Sequence, residues 1–141
     1  MFDNSFEDRL AAWREFRDGL EISTTPLEDV VRLYNTAPLV SIHIDPWDQS
    51  TWPMPWQLLN ENQYCDFCIV LGCCYSLQLT DRFKASSFEI HIGMDYANSQ
   101  IHYLLFVDNN VIGYEPNTVT VKSKLPETLV PQRIYVMPSL H

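Results

Sequence analysis

The sequence predicts an α+β domain, with helices first and an antiparallel sheet after them. Three observations predict it. Apolar residues recur at helical spacing through the first 35 positions, Cys65 to Leu79 is apolar almost all round, and strict alternation begins at Phe88. The 141 residues suffice for one domain with a real core, over 1–141. It divides into a helical part (1–37), a Trp/Pro-rich loop (38–64) and a central helix plus sheet (65–141).

Phe6, Leu10, Trp13, Phe16 and Leu20 are spaced by three and four, with Glu7, Asp8, Arg14, Glu15 and Arg17 between them. That is an amphipathic helix closing near Gly19. A second helix starts at Pro26: Thr25 suits the N-cap, proline suits the first helical position, and Glu28 and Asp29 suit the first turn. Val30, Val31, Leu33 and Tyr34 form its buried side, and Asn35 ends it. Pro38 to Ile44 reads as a short strand or an extended lead. Asp45 to Pro55 reads as an ordered loop, because Trp47 and Trp52 need burial. Trp56 to Asn60 reads as one helical turn. Within the central helix, Gly72 costs about 1 kcal/mol relative to alanine, which implies a close neighbour.

Phe88, Ile90 and Ile92 alternate with Glu89, His91 and Gly93 as in a half-buried strand, and Ile101 to Val107 is dense enough for a central one. Asp108-Asn109-Asn110 is hairpin chemistry, with Val111 to Glu115 as the return strand. Thr118 to Lys122 and Gln132 to Met137 complete the sheet, separated by a Pro126 to Pro131 loop. There is no internal repeat, low-complexity tract or linker.

Composition bounds the function. The 46% hydrophobic and 13% aromatic content is that of a folded chain. Nine basic against 18 acidic residues give a net charge of −9, which argues against non-specific binding to nucleic acid or anionic membrane and would suit a basic partner. No apolar run approaches the ~20 residues of a membrane span. Met1-Phe2-Asp3-Asn4 lacks the pattern of a signal peptide, so the expected setting is the cytoplasm or a particle assembled there. Cys65, Cys68, Cys73 and Cys74 fall within ten residues, which disfavours a disulfide framework. Adjacent Cys73 and Cys74 point in different directions on a helix, so a zinc set is not expected either; no metal and no cofactor is called for. His43 and His91 read as isolated surface histidines, and terminal His141 carries no signal.

The candidate chemistry centres on Trp52 to Cys68. Cys65 opens the central helix, where unpaired N–H groups and the dipole favour a thiolate. His102 begins the central strand, and a hairpin at Asn109-Asn110 brings it level with Glu115 or Asn117. Packing of that helix end on that sheet end would make a Cys-His-acid triad: Cys65 attacks, His102 holds the proton, and Glu115 or Asn117 orients the ring. The same residues also read as buried thiols, a surface histidine and a surface glutamate.

The order of these segments resembles the transglutaminase-like cysteine hydrolase superfamily, most of all its bacterial cysteine proteinase branch. Trp52-Pro53-Met54-Pro55 with Leu59 matches its Trp-x-x-Pro-x-x-x-Leu entry. Cys65-Asp66-Phe67-Cys68-Ile69 matches its cysteine, His102-Tyr103-Leu104-Leu105-Phe106-Val107 its histidine strand, and Val111 to Asn117 its acid-ending hairpin. The resemblance covers residues 45 to 118. It implies a papain-like α+β fold and a cysteine-dependent amide hydrolase or acyl transferase acting on a protein or peptide. Cys65, His102, Glu115 and Asn117 would be catalytic, and Cys68 the reserve nucleophile. Trp52, Trp56 and Tyr64 would line a substrate or partner groove.

This chain departs from the family pattern at Gln63-Tyr64, where glycine is usual, in the shorter spacing after the cysteine, and in Glu115, where aspartate is usual. The superfamily includes inactive members used as binding or scaffold modules. The competing expectation is therefore a structural subunit of a large particle, such as a virus tail or neck, contacting neighbouring subunits without the chemistry. A second resemblance, of Cys65-x-x-Cys68 to a thioredoxin-type redox pair, lacks the leading strand of a βαβ unit.

Overall fold

The computed structural model describes residues 1–41 and 44–141. It is an α+β domain, and among those residues are four α-helices and a five-stranded antiparallel sheet. The helices are α1 (Phe6–Leu20), α2 (Pro26–Tyr34), α3 (Pro55–Glu61) and α4 (Asp66–Gln78). The strands are β1 (Phe88–Asp95), β2 (Gln100–Val107), β3 (Asn110–Ile112), β4 (Val119–Val121) and β5 (Leu129–Val136), in the order β4-β3-β2-β1-β5. The densest apolar strand, β2, is thus the middle one, as its sequence predicts. None of the described helices is long and apolar enough to cross a membrane.

Helix α1 starts where Ser5 Oγ accepts the Asp8 N–H at 3.4 Å. Thr25 takes the expected N-cap place of α2, but its hydroxyl bonds the Asp29 carboxylate at 2.9 Å instead of the backbone. Arg32 reaches the same carboxylate at 2.9 Å. Helix α3 is longer than the single turn expected, because Pro55 sits at its first position and Gln57 Oε1 accepts the Met54 N–H at 2.8 Å. Buried Arg9 closes the far end of α3, donating to the carbonyls of Leu59 at 3.0 Å and Asn60 at 3.2 Å. A cation there complements the carbonyl end of the helix.

Helix α4 is the core of the domain. Gly72 has the close neighbour that its sequence context implies: a Cβ built there would lie 2.2 Å from the Tyr34 ring. Beside it, Ser76 Oγ donates to Gly72 O at 2.8 Å and accepts from Trp13 Nε1 at 2.8 Å. With its single proton spent, Ser76 accepts from the Tyr34 hydroxyl 3.0 Å away. One fully satisfied hydroxyl therefore ties α1, α2 and α4 together.

One face of the sheet packs on α4. Ile90 and Ile92 from β1, Leu105 and Val107 from β2, Ile112 and Tyr135 join the main core, and Tyr103 lies edge-on to Phe67 at 5.3 Å. The opposite face carries a smaller cluster of Leu104, Phe106 and Val111, covered by Tyr114, Leu125 and Leu129.

Several boundaries differ from expectation. Strand β3 stops at Ile112, not Glu115, because Gly113 takes φ +103°, where an added Cβ would collide with the Tyr103 carbonyl. The predicted loop before the last strand is shorter, since β5 already begins at Leu129 and includes Pro131. β5 is an edge strand with a bulge opposite Ile92/Gly93, where a proline is tolerated. Pro38 to Ile44 forms no named strand among its described residues. Leu39 makes an isolated parallel bridge with Tyr64, through Val40 N–H to Tyr64 O at 2.8 Å and Tyr64 N–H to Pro38 O at 3.1 Å. His43 lies outside the described residues. Of the loop tryptophans, Trp52 is buried between Phe67 (4.8 Å) and Tyr135 (4.7 Å), whereas Trp47 is 41% exposed.

Both ends of the chain are held by the domain itself. Asn62 Nδ2 donates to Phe2 O at 2.9 Å, and the Phe2 ring packs on Tyr34 and Tyr64. Gln78 Nε2 donates to Pro138 O at 3.0 Å, and His141 Nε2 donates to Gln78 O at 2.8 Å. Terminal His141, silent in the sequence, thereby caps the carbonyl end of α4.

Candidate functional site

Cys65 is the N-cap of α4, as the sequence predicts for the residue that opens the central helix. It is 1% exposed, and its sulfur lies 3.3 Å from that of Cys68. The contact with Cys65, and then burial, push the Cys68 thiol pKa far up. Burial does the same for Cys73 and Cys74. For those three residues the neutral thiol is favoured.

His102 takes the phase of the opposite face of the sheet, at the start of β2. It pairs with Gly93, and a Cβ at Gly93 would point toward the side chains of Leu129 and Leu104. The His102 ring leans on Tyr114 at 5.3 Å, within the smaller cluster's cover. Side chains alternate along a strand, so Tyr103, not His102, points to α4. Burial raises the Tyr103 pKa, and the nearby Cys65, Asp66 and Asp45 add to the shift.

The β2–β3 register, extended past Leu105↔Ile112, would set Glu115 opposite His102. The turn at Gly113 removes it from the ladder, and Glu115 and Asn117 are exposed, Asn117 with φ +58°. His102, Glu115 and Asn117 nevertheless meet around one open pocket of about 410 Å³ between α2, α4 and the start of β2. Asn35, Asp66 and Tyr103 contribute to its wall, and Cys65 is not among its described lining residues. The carboxylates of Asp66 and Glu115 give the pocket the acidic character of the whole chain.

The expected groove residues separate. Trp52 is buried against α4, and Tyr64 is fully buried against Phe2 (5.3 Å) and Tyr34 (5.9 Å). Trp56 is 53% exposed on α3. Asp66, Tyr103 and Asn35 are the pocket residues that sequence reasoning missed. Tyr103 shares the odd-numbered phase of Leu105 and Val107, which is the signal that could have found it. His91 is not the surface residue expected: it stacks on Phe106 at 3.9 Å, with Nε2 2.9 Å from Glu89 Oε1.

No protein-family model and no curated protein matches this chain.

Proposed function

We propose that the chain is a non-catalytic protein-binding subunit of an assembly, with a transglutaminase-like layout that no longer serves hydrolysis. The layout is supported by the order of its parts: a cysteine at the start of the central helix, and an antiparallel sheet whose middle strand carries the histidine run. The observation that carries the non-catalytic reading is the separation of the predicted pair. Cys65 is buried on the α4 side of the sheet with its sulfur on Cys68, and His102 belongs to the opposite face. A general base must come within hydrogen-bond reach of the proton it takes. For His102 to do so, β2 would have to slip by one residue, which would turn Leu105 and Val107 out of the core. The pocket around His102, Glu115 and Asn117 then serves as a contact surface for a protein partner.

Iodoacetamide labelling of the native protein across pH, read by mass spectrometry, tests this. The expected result is no labelling of Cys65 until the protein is denatured. Rapid labelling well below the free-thiol pKa of ~8.5, lost in His102→Ala, would overturn the reading and restore the cysteine hydrolase.

A further inference from the structure

The Cys65-x-x-Cys68 spacing plays no part in the binding function. Cys65 is the N-cap and Cys68 the third residue of α4, so the two lie three apart on the first turn, where side chains share a face. Their sulfurs meet at 3.3 Å. A disulfide places them ~2.05 Å apart, so side-chain rotation covers most of the remaining distance. Cys73 and Cys74 make a built-in contrast. They are adjacent on the same helix but point apart, Cys73 toward Val30 O (3.9 Å) and Cys74 toward Gln78 Oε1 (3.4 Å).

We propose that Cys65 and Cys68 are a redox-responsive dithiol that a small peroxide closes into a disulfide across the first turn of α4. Burial of both sulfurs, at 1% and 0% exposure, excludes a bulky disulfide as the oxidant and leaves a small uncharged one. Cys65 reacts first, because the free N–H groups of the first turn favour its thiolate. Its sulfur attacks one peroxide oxygen, the O–O bond breaks, and the departing oxygen takes a proton to leave as water. The Cys68 sulfur then attacks the Cys65 sulfenic acid, the S–O bond breaks, and hydroxide leaves with the Cys68 proton as a second water. Two thiols are oxidised by two electrons, and one peroxide is reduced to two waters. The bond fixes the entry to α4 immediately after Tyr64, the residue bridged to Leu39.

The test is treatment of the native, reduced protein with hydrogen peroxide, followed by quenching, thiol counting in denaturant and peptide mapping. The four thiols, none of them in a disulfide, are expected to fall to two, with Cys65 joined to Cys68, and dithiothreitol is expected to restore all four. In Cys68→Ala, checked for folding by circular dichroism, the bridge should be lost and Cys65 should go on to the sulfinic acid. Four thiols remaining after treatment would overturn the proposal. So would a bridge to Cys73 or Cys74, or over-oxidised Cys65 beside free Cys68 in the unaltered protein. The wild-type map decides the matter even if the variant fails to fold. A positive result leaves the binding reading intact, since that rests on labelling and His102.

Discussion

Tyr103, Leu105 and Val107 face α4, whereas His102, Leu104 and Phe106 face the opposite way. The first set joins a core with four buried thiols and the three-helix knot at Ser76. The second supports a smaller cluster rimmed by polar groups: His91 paired with Glu89, and Lys122 over the Phe106 ring at 5.8 Å. The difference teaches that one residue of phase decides which chemistry a strand presents. A histidine at position 102 meets Tyr114 and the pocket, while the side chain that approaches the cysteine helix is a tyrosine.

The sharpest way to break this comparison is to remove one side chain from each of the two faces. Leu105 is fully buried against α4, so Leu105→Ala should cost about 2–5 kcal/mol in lost burial and cavity formation. Ile134, which pairs with His91 on the opposite face, is 49% exposed. Ile134→Ala should cost no more than about 0.5 kcal/mol, as for surface substitutions generally. Urea midpoints at constant m-value would measure both. Equal losses would mean that the opposite face is as much a core as the α4 face.

Gly72→Ala probes how tightly the helical side is built. On propensity alone the change should stabilise α4 by up to about 1 kcal/mol. The added methyl would lie 2.2 Å from the Tyr34 ring, and that ring cannot move without disturbing its hydrogen bond to Ser76. Overpacking of this kind costs about 1–3 kcal/mol, so a net destabilisation is expected. Thermal or urea unfolding would show the sign, and a more stable variant would mean that Tyr34 has room to retreat.

The same contrast explains what was legible in the sequence. Helices α1 and α2 were, because their period, caps and first-turn acids agree, and Gly72 announced its neighbour. The phase of β2 was not. Tyr103-Leu105-Val107 and His102-Leu104-Phe106 are both apolar enough to be buried, so alternation alone does not say which set faces α4. The early end of β3 had a signal in Gly113, since a glycine inside a strand pattern often marks a bend. The gathering of His102, Glu115 and Asn117 around one pocket was partly legible through the hairpin register. The burial of Cys65 was not, because the burial of a helix cap depends on tertiary packing that its own sequence does not state.

A graded perturbation of the comparison is alkaline pH, which acts on the α4 side through its thiols. Burial raises the Cys73 and Cys74 pKa values in the folded state, while the unfolded chain ionises its thiols near 8.5. Between those two values the native state holds protons that the unfolded state has released. Stability therefore falls as pH rises above about 8.5, by at most about 1.4 kcal/mol per pH unit for each such thiol. Below that pH the thiols are protonated in both states and the dependence vanishes. Cys73→Ala should remove one thiol's share of the slope while leaving the other thiols to titrate. Urea titrations from pH 8 to 10 under reducing conditions would measure it. An unchanged slope in the variant would mean that Cys73 ionises as readily inside the fold as outside, and that the α4 side is wetter there than its packing implies.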